Sequence, residues 1–519
     1  MRRLIAVSLV VVVTGLAIGL VLRQTASNVG NSGLRPTRLF NQVMSHVEQF
    51  AVDSHQINEL YERAAEGVLS ELTDPYAALL VGNRREAVAS QASGNYTGLG
   101  IQADARGGTV IVISAWPDSP ADRAGIRTGD RIIEIDSLPV DSVDSERLGT
   151  LLRGEPGSTI DLKIRRPGVS GTMSFTVRRG EVHRRSVSTG IMLEGGTGYV
   201  ALSRTAARAS SELKSEIDSL RRLGARSLIL DLRGNPGGLV EEGVAIAEMF
   251  LNPDQVILET RGRIPSVLHQ YSDTGVELWP EMPVVVLVNE GTASAAEIIA
   301  GALQDHDRAL IVGQPTYGKG SVQSVFTLGN DASLRLTTGR WYTPSGRSIQ
   351  RVGAPAAVAV AAAAAADTGV RFQSSKGRML LGGGGITPDR LVRRDSLRPN
   401  DREFQELLGA RFPQYRDAVA TVALSDRIKG LTLGHDFVVT PMLRRALIDE
   451  LGKRRLELGD EELAPFQEIL DRDLGNDIAR YHLGRAAEIQ RRARYDAQLQ
   501  VALVALRSAA TPLALLGIE

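Results

Sequence analysis

VNEGTASAAEIIAGAL, Val288 to Leu303, follows the apolar run PVVVLV and turns at Gly291 into helical spacing. It sets Ser294 among alanines and glycines at a strand-to-helix turn, with almost no bulky side chain for four residues on either side. Small residues there let a helix pack closely on a sheet, and they also open a serine's backbone to a substrate. Most serines at helix starts are caps. The neighbouring segments have to decide between the two readings.

Outward from this turn, strands and helices alternate from about Ile191 to Asp389. GYVALS is followed by a helix from Ser210 to Leu223, then SLILDL, a helix after Gly238, PVVVLV, a helix after Ser294, and ALIVG. Apolar runs alternating with helices predict a mostly parallel sheet covered on both faces. Upstream, YTGLGIQAD, TVIVISAW, DRIIEID, TIDLKIRR and GTMSFTVRR read as short strands of a β-rich module from Tyr96 to about Arg179. SPADRAGI, Ser119 to Ile126, inserts a short helix closed by Gly125. Pro36 to Ser90 reads as helical, with apolar residues three and four apart in RLFNQVMSHVEQFAV and INELYERAAEGVLSEL. After Pro399 the chain is helical nearly to its end, and charged faces such as that of ALIDELGKRRLELGDEELAPFQEIL read as solvated surface. AVAVAAAAAA, Ala357 to Ala366, reads as a loop insertion.

The 519 residues allow three or four domains. Sixty basic and sixty acidic residues cancel, which leaves no electrostatic footprint for nucleic acid. Without cysteine there is no disulfide, thiolate metal site or cysteine nucleophile. The seven histidines show no ligand spacing, so no metal is expected. At the N-terminus, MRR precedes nineteen uncharged residues, Leu4 to Leu22, closed by Arg23. That length crosses a bilayer, and Arg2 and Arg3 would stay cytoplasmic, which sends the rest of the chain across the membrane. An uncleaved anchor in residues 1–23 is the preferred reading over a cleaved signal peptide. Both export the protein.

A second feature raises Ser294 above a cap. PTYGKGSVQ, Pro315 to Gln323, places Lys319 between Gly318 and Gly320, just past the strand ALIVG. GQPTYGK fits the first seven positions of a phosphate-binding loop, but the eighth is Gly320 and SVQSVFTL alternates as a strand where a helix is required. The alternative is a serine–lysine dyad, in which a lysine made neutral by burial takes the hydroxyl proton. His306 is ill placed for that task, three turns along the serine's helix. Backbone N–H groups for an oxyanion are offered by Ala295 at the helix start and by the glycines of DLRGNPGGLV, Asp231 to Val240.

On LTDPYAALL, YTGLGI, SPADRAGIRTGDRIIEID, LILDLRGNPGG, VNEGTASAAEIIAGALQD, GQPTYGKGSVQ, WYTPSGRSIQ and GGGGITPD, the chain resembles the carboxyl-terminal processing peptidases, also called tail-specific proteases. The likeness runs from about Leu39 to Asp389. It implies an α/β multidomain protein: a Clp-protease/crotonase-like peptidase core (186–395), a β-rich PDZ domain (95–180), and helical N-terminal (35–92) and C-terminal (396–519) regions. It further implies that Ser294 is the nucleophile, Lys319 the general base and Gln323 the residue that holds the lysine. Gly238 and Ala295 would form the oxyanion hole with Gly237 alongside, and Glu297, Asp305 and Thr316 would support the site. Gly98, Leu99, Gly100 and Ile101 would be the carboxylate-capturing loop of the PDZ domain; Leu99 and Ile101 equally suit its core. The expected function is an exported serine endopeptidase that selects unstructured C-terminal tails, without a cofactor and self-associating through its helical regions. Against it stand a membrane-tethered PDZ scaffold with an inactive peptidase domain and a crotonase-like acyl-CoA enzyme.

Overall fold

The computed structural model describes residues 36–106, 109–143, 145–329, 331–351, 370–393, 399–425, 428, 433–434, 436–456 and 458–518. The expected anchor in residues 1–23 and the alanine-rich run 357–366 lie outside them. Among the described residues no helix is long and apolar enough to cross a membrane. The chain divides into two compact units, 1–82 with 324–337, and 83–323 with 338–519.

In the first unit, residues 36–50 and Ile57–Ser70 are helical and Ala78–Val81 is a strand antiparallel to 332–335. Asp74, of the motif LTDPY, fixes that strand's start: its carboxylate accepts from Tyr76 N (3.0 Å), Thr337 N (2.9 Å) and Thr337 Oγ1 (2.9 Å).

The second unit holds the expected β-rich module and the expected layered core. In the module, Ile101–Arg106, Thr109–Ala115, Arg131–Ile135, Thr159–Arg165 and Met173–Arg178 form an antiparallel sheet in that order. Thr159–Arg165 shows why: Ile160, Leu162 and Ile164 are buried while the residues between them face out. The expected strand YTGLGIQAD is two strands, because Gly100 adopts φ +75° and breaks it. Asn95–Gly98 pairs instead with Gly180–His183, the segment leading into the core.

The core sheet runs Val187–Leu193, Thr197–Leu202, Ser227–Asp231, Val284–Val288, Leu310–Gly313, Arg390–Leu391, parallel except for its first pair. Leu228, Leu230, Val284, Val286 and Val288 face helices Ala209–Arg222, Val240–Glu248 and Ala295–Asp305. Ile229, Val285 and Leu287 face the other way, onto Leu499, Ala502, Leu503 and Leu506 of helix Ala497–Arg507. The C-terminal region is therefore more than solvated surface. It supplies the second cover that a parallel sheet with two apolar faces requires.

Candidate active site

Ser294 sits where the sequence pattern places it, between strand Val284–Val288 and helix Ala295–Asp305. Its backbone is unusual: φ +54° and ψ −120°, a region that side-chain-bearing residues seldom adopt and that is strained unless its surroundings enforce it. The surroundings do. Thr292 Oγ1 donates to Leu232 O (2.8 Å), Ala293 N to Asn235 O (2.9 Å) and Ser294 N to Glu297 Oε2 (2.8 Å).

The turn DLRGNPGG lies directly against Ser294. A Cβ on Gly237 would stand 2.6 Å from Ala293 O, 2.8 Å from Ser294 Cβ and 2.9 Å from Ala295 N. Only glycine permits this approach, and Gly237 at φ +88° also needs its conformational freedom. Asn235 organises the turn: its side chain donates to Leu202 O (2.9 Å) and accepts from Gly237 N (2.9 Å). The Gly237 amide is thereby spent. Gly238 is held by its neighbours, with Thr205 N donating to Gly237 O and Leu239 N to Thr205 O. Among the described residues neither the Gly238 N–H nor the Ala295 N–H has a protein acceptor. Two unspent amides beside a strained serine are what an oxyanion hole is built from.

Lys319 follows strand Leu310–Gly313, and strand Ser321–Leu328 comes next where a phosphate loop would need a helix. Ser294 and Lys319 are both half-buried. Their turns are joined through one side chain. Glu297, fully buried, accepts from Ser294 N (2.8 Å) and Lys319 N (2.9 Å) on Oε2, and from Gly318 N (2.7 Å) and Thr316 Oγ1 (2.5 Å) on Oε1. Burial pushes this carboxyl up from its ordinary range, and the four donors pull against it. The four donors meet both oxygens, two on each.

Gln323 donates its amide to Ser321 Oγ (2.8 Å). Asp305 stands at the far end of the serine's helix, about 16 Å away at about 1.5 Å per residue. There it binds Arg347 (2.6 Å) and Ser345 N (2.9 Å), so its support reaches the site through the segment 345–351. His306 caps the same helix and hydrogen-bonds to Val256 O (2.7 Å), well away from Ser294. In the PDZ module, Leu99 and Ile101 are core residues, and the Leu99 and Gly100 carbonyls accept from Ala121 N and Trp116 N. The side chains of Leu99 and Ile101 are thus committed to the core of the module.

Sequence reasoning gave no role to Asn235, Trp341, Arg347 or Gln350, although the motifs GNPGG and WYTPSGRSIQ that contain them stood out. The signal was their closeness to glycines that need an explanation.

Residues 196–360 match the model of peptidase family S41 and residues 111–166 that of the PDZ domain. The carboxy-terminal-processing protease of Bartonella bacilliformis is 34% identical over 333 residues, 63% of this chain and 76% of that protein. CtpA of Bacillus subtilis, a carboxy-terminal processing protease, is 30% identical over 336 residues, 64% of this chain and 70% of its own. Among solved structures, the photosystem II D1 C-terminal processing protease matches at 27% identity and a TM-score of 0.38, over 69% of this chain and 88% of that one. On the identity and coverage of the Bartonella and Bacillus proteases the chain belongs to the carboxyl-terminal processing proteases, and it is a serine-type peptidase of family S41 with a PDZ domain.

Proposed function

We propose that this peptidase is an exported endopeptidase working through a Ser294–Lys319 dyad. Ser294 Oγ attacks the scissile carbonyl while neutral Lys319 Nζ takes its proton. The oxyanion that forms is met by the Gly238 and Ala295 N–H groups. The lysine ammonium then protonates the departing amine, and an acyl-enzyme remains on Ser294. Water, deprotonated in turn by Lys319, releases the acid and restores the serine. Gln323 keeps the lysine side chain in line. The observation that carries this reading is the Glu297 carboxylate, which binds the Ser294 and Lys319 amides on a single oxygen atom.

Substrates are taken by unstructured C-terminal tails. Strand Ile101–Arg106 ends its sheet, no described strand pairs with its other edge, and the loop Gly98–Ile101 lies at its start, the arrangement that strand addition uses. Leu4–Leu22 tethers the chain with its peptidase outside the cytoplasm; cytoplasmic recovery of a full-length chain after fractionation would contradict this. The helical regions mediate self-association, and Leu39, Val43, Phe50 and Val68 are exposed on the N-terminal helices. A monomer mass by light scattering would refute that point.

The dyad is tested on a denatured protein with a free apolar C-terminus. Ser294→Ala and Lys319→Arg are both expected to lose cleavage while folding normally, since guanidinium does not shed its proton. Full activity in Lys319→Arg would sink the dyad. A wild-type enzyme inert on such substrates would leave a PDZ scaffold as the better reading.

A further inference from the structure

The glycines either side of Lys319 are explained by what presses on them. A Cβ on Gly318 would lie 2.9 Å from Arg351 Cβ and 3.1 Å from both Ile349 O and Gly385 N. A Cβ on Gly320 would lie 3.0 Å from Gln350 N and 3.2 Å from Gln350 Cβ. The lysine turn is therefore packed, backbone to backbone, against residues 349–351.

All six polar backbone groups of Gly318, Lys319 and Gly320 are hydrogen-bonded. Glu297 takes the Gly318 and Lys319 N–H groups. Arg351 N donates to Gly318 O (3.0 Å) and Trp341 N to Gly320 O (2.9 Å). The two that remain are met by side chains: the Trp341 indole Nε1 donates to Lys319 O (3.1 Å), and Gln350 Oε1 accepts from Gly320 N (3.0 Å). The Gln350 amide is oriented, because its Nε2 donates to Arg351 O (3.1 Å). Trp341 is buried at 2% exposure, so its bond to the lysine carbonyl is shielded from water.

We infer that Trp341 and Gln350 are positioning residues for Lys319, an inference that rests on the lysine's proposed role as the base. They leave the lysine only its side-chain torsions, so its amine meets the serine without a search through backbone conformations. A loosened turn lets the ammonium reach water. The protonated, idle form then persists to higher pH.

The test is the pH profile of kcat/KM for Trp341→Phe and Gln350→Glu beside the wild type and Lys319→Ala. Trp341→Phe removes one N–H donor and keeps an aromatic ring. Gln350→Glu places an anion one residue from the lysine and an oxygen against Arg351 O. Both are expected to move the ascending limb to higher pH. At neutral pH kcat should fall roughly three- to tenfold, the worth of one hydrogen bond, while KM stays within about twofold and activity recovers at alkaline pH. Should Trp341→Phe fail to fold, Gln350→Glu at a half-buried position carries the test. An inert Lys319→Ala beside a folded Gln350→Glu with an unmoved limb would overturn the positioning role alone. An active Lys319→Ala would overturn the base itself.

Discussion

Replacing Glu297 by glutamine keeps the shape of the side chain, removes its charge and turns one oxygen into an amino group. That group must face two present donors. At the Oε2 position it would oppose the Ser294 and Lys319 amides, two N–H groups with no freedom to turn. At Oε1 it would oppose Gly318 N and the Thr316 hydroxyl, and the hydroxyl can accept instead. Glutamine therefore takes the second orientation and orphans one buried amide, that of Gly318. The orphan costs about 1–3 kcal/mol, and the two bonds that survive lose their charge assistance, while relief of the buried charge offsets part of this. A net loss of about 1–2 kcal/mol follows, a fall of a few degrees in thermal midpoint. Activity is expected to fall further than stability, by about 10–100-fold in kcat, because both members of the proposed dyad bind this group through their amides. Burial holds the folded carboxyl above its unfolded value. The unfolded chain thus ionises first as pH rises, and the stability that protonated Glu297 supplies at acid pH is lost through the folded value. The wild type's advantage over Glu297→Gln in denaturant midpoint should therefore shrink from acid to neutral pH. A variant that matches wild-type kcat within about twofold would refute the coupling. A stability gap that widens with pH would show that the four donors outweigh burial.

Two further outcomes follow from the same geometry. Gly238→Ala would bring a Cβ to 2.2 Å from Thr205 O, so the turn must move and take the proposed oxyanion donor with it; kcat should drop about a hundredfold, and an unchanged kcat would remove Gly238 from the site. If the Gly98–Ile101 loop reads tails as proposed, amidating a substrate's C-terminus should weaken cleavage well upstream, since backbone N–H groups bind a carboxylate more strongly than an amide; equal cleavage of both forms would show that the module does not read tails.

The candidate residues were legible because they ride on local signals. Ser294 and Lys319 stand at glycine-flanked turns after apolar strands, and strand alternation fixed the layers around them. The connections were illegible, since they cross long stretches of chain. Glu297 reads locally as a capping acid three residues into a helix, yet three of its four donors lie 19 to 22 residues on. The strands Val256–Gly262 and His269–Ser272 are not legible as apolar runs, because the first carries Glu259 and Arg261 and the second, HQYS, has no aliphatic residue; both belong outside the apolar core sheet. The C-terminal cover was hidden by its charges: the faces rich in arginine and glutamate drew attention, while Leu499, Leu503 and Leu506, spaced by four and three, met the sheet.

The serine's helix shows how far such connections reach. At its start Glu297 grips the serine and lysine turns together. At its end Gln304 and Asp305 grip Arg347, whose guanidinium is wholly buried and donates to both at 2.6 Å. Arg347 begins the stretch that carries Ile349, Gln350 and Arg351 onto the glycines beside Lys319. A buried guanidinium that lost Asp305 would be left without its counter-charge, a loss of about 3–5 kcal/mol for such pairs. One helix therefore holds the lysine turn twice, directly through Glu297 and at the remove of its own length through Arg347. The strained backbone of Ser294 is tolerable for the same reason, because the element it opens is anchored at both ends by buried charge.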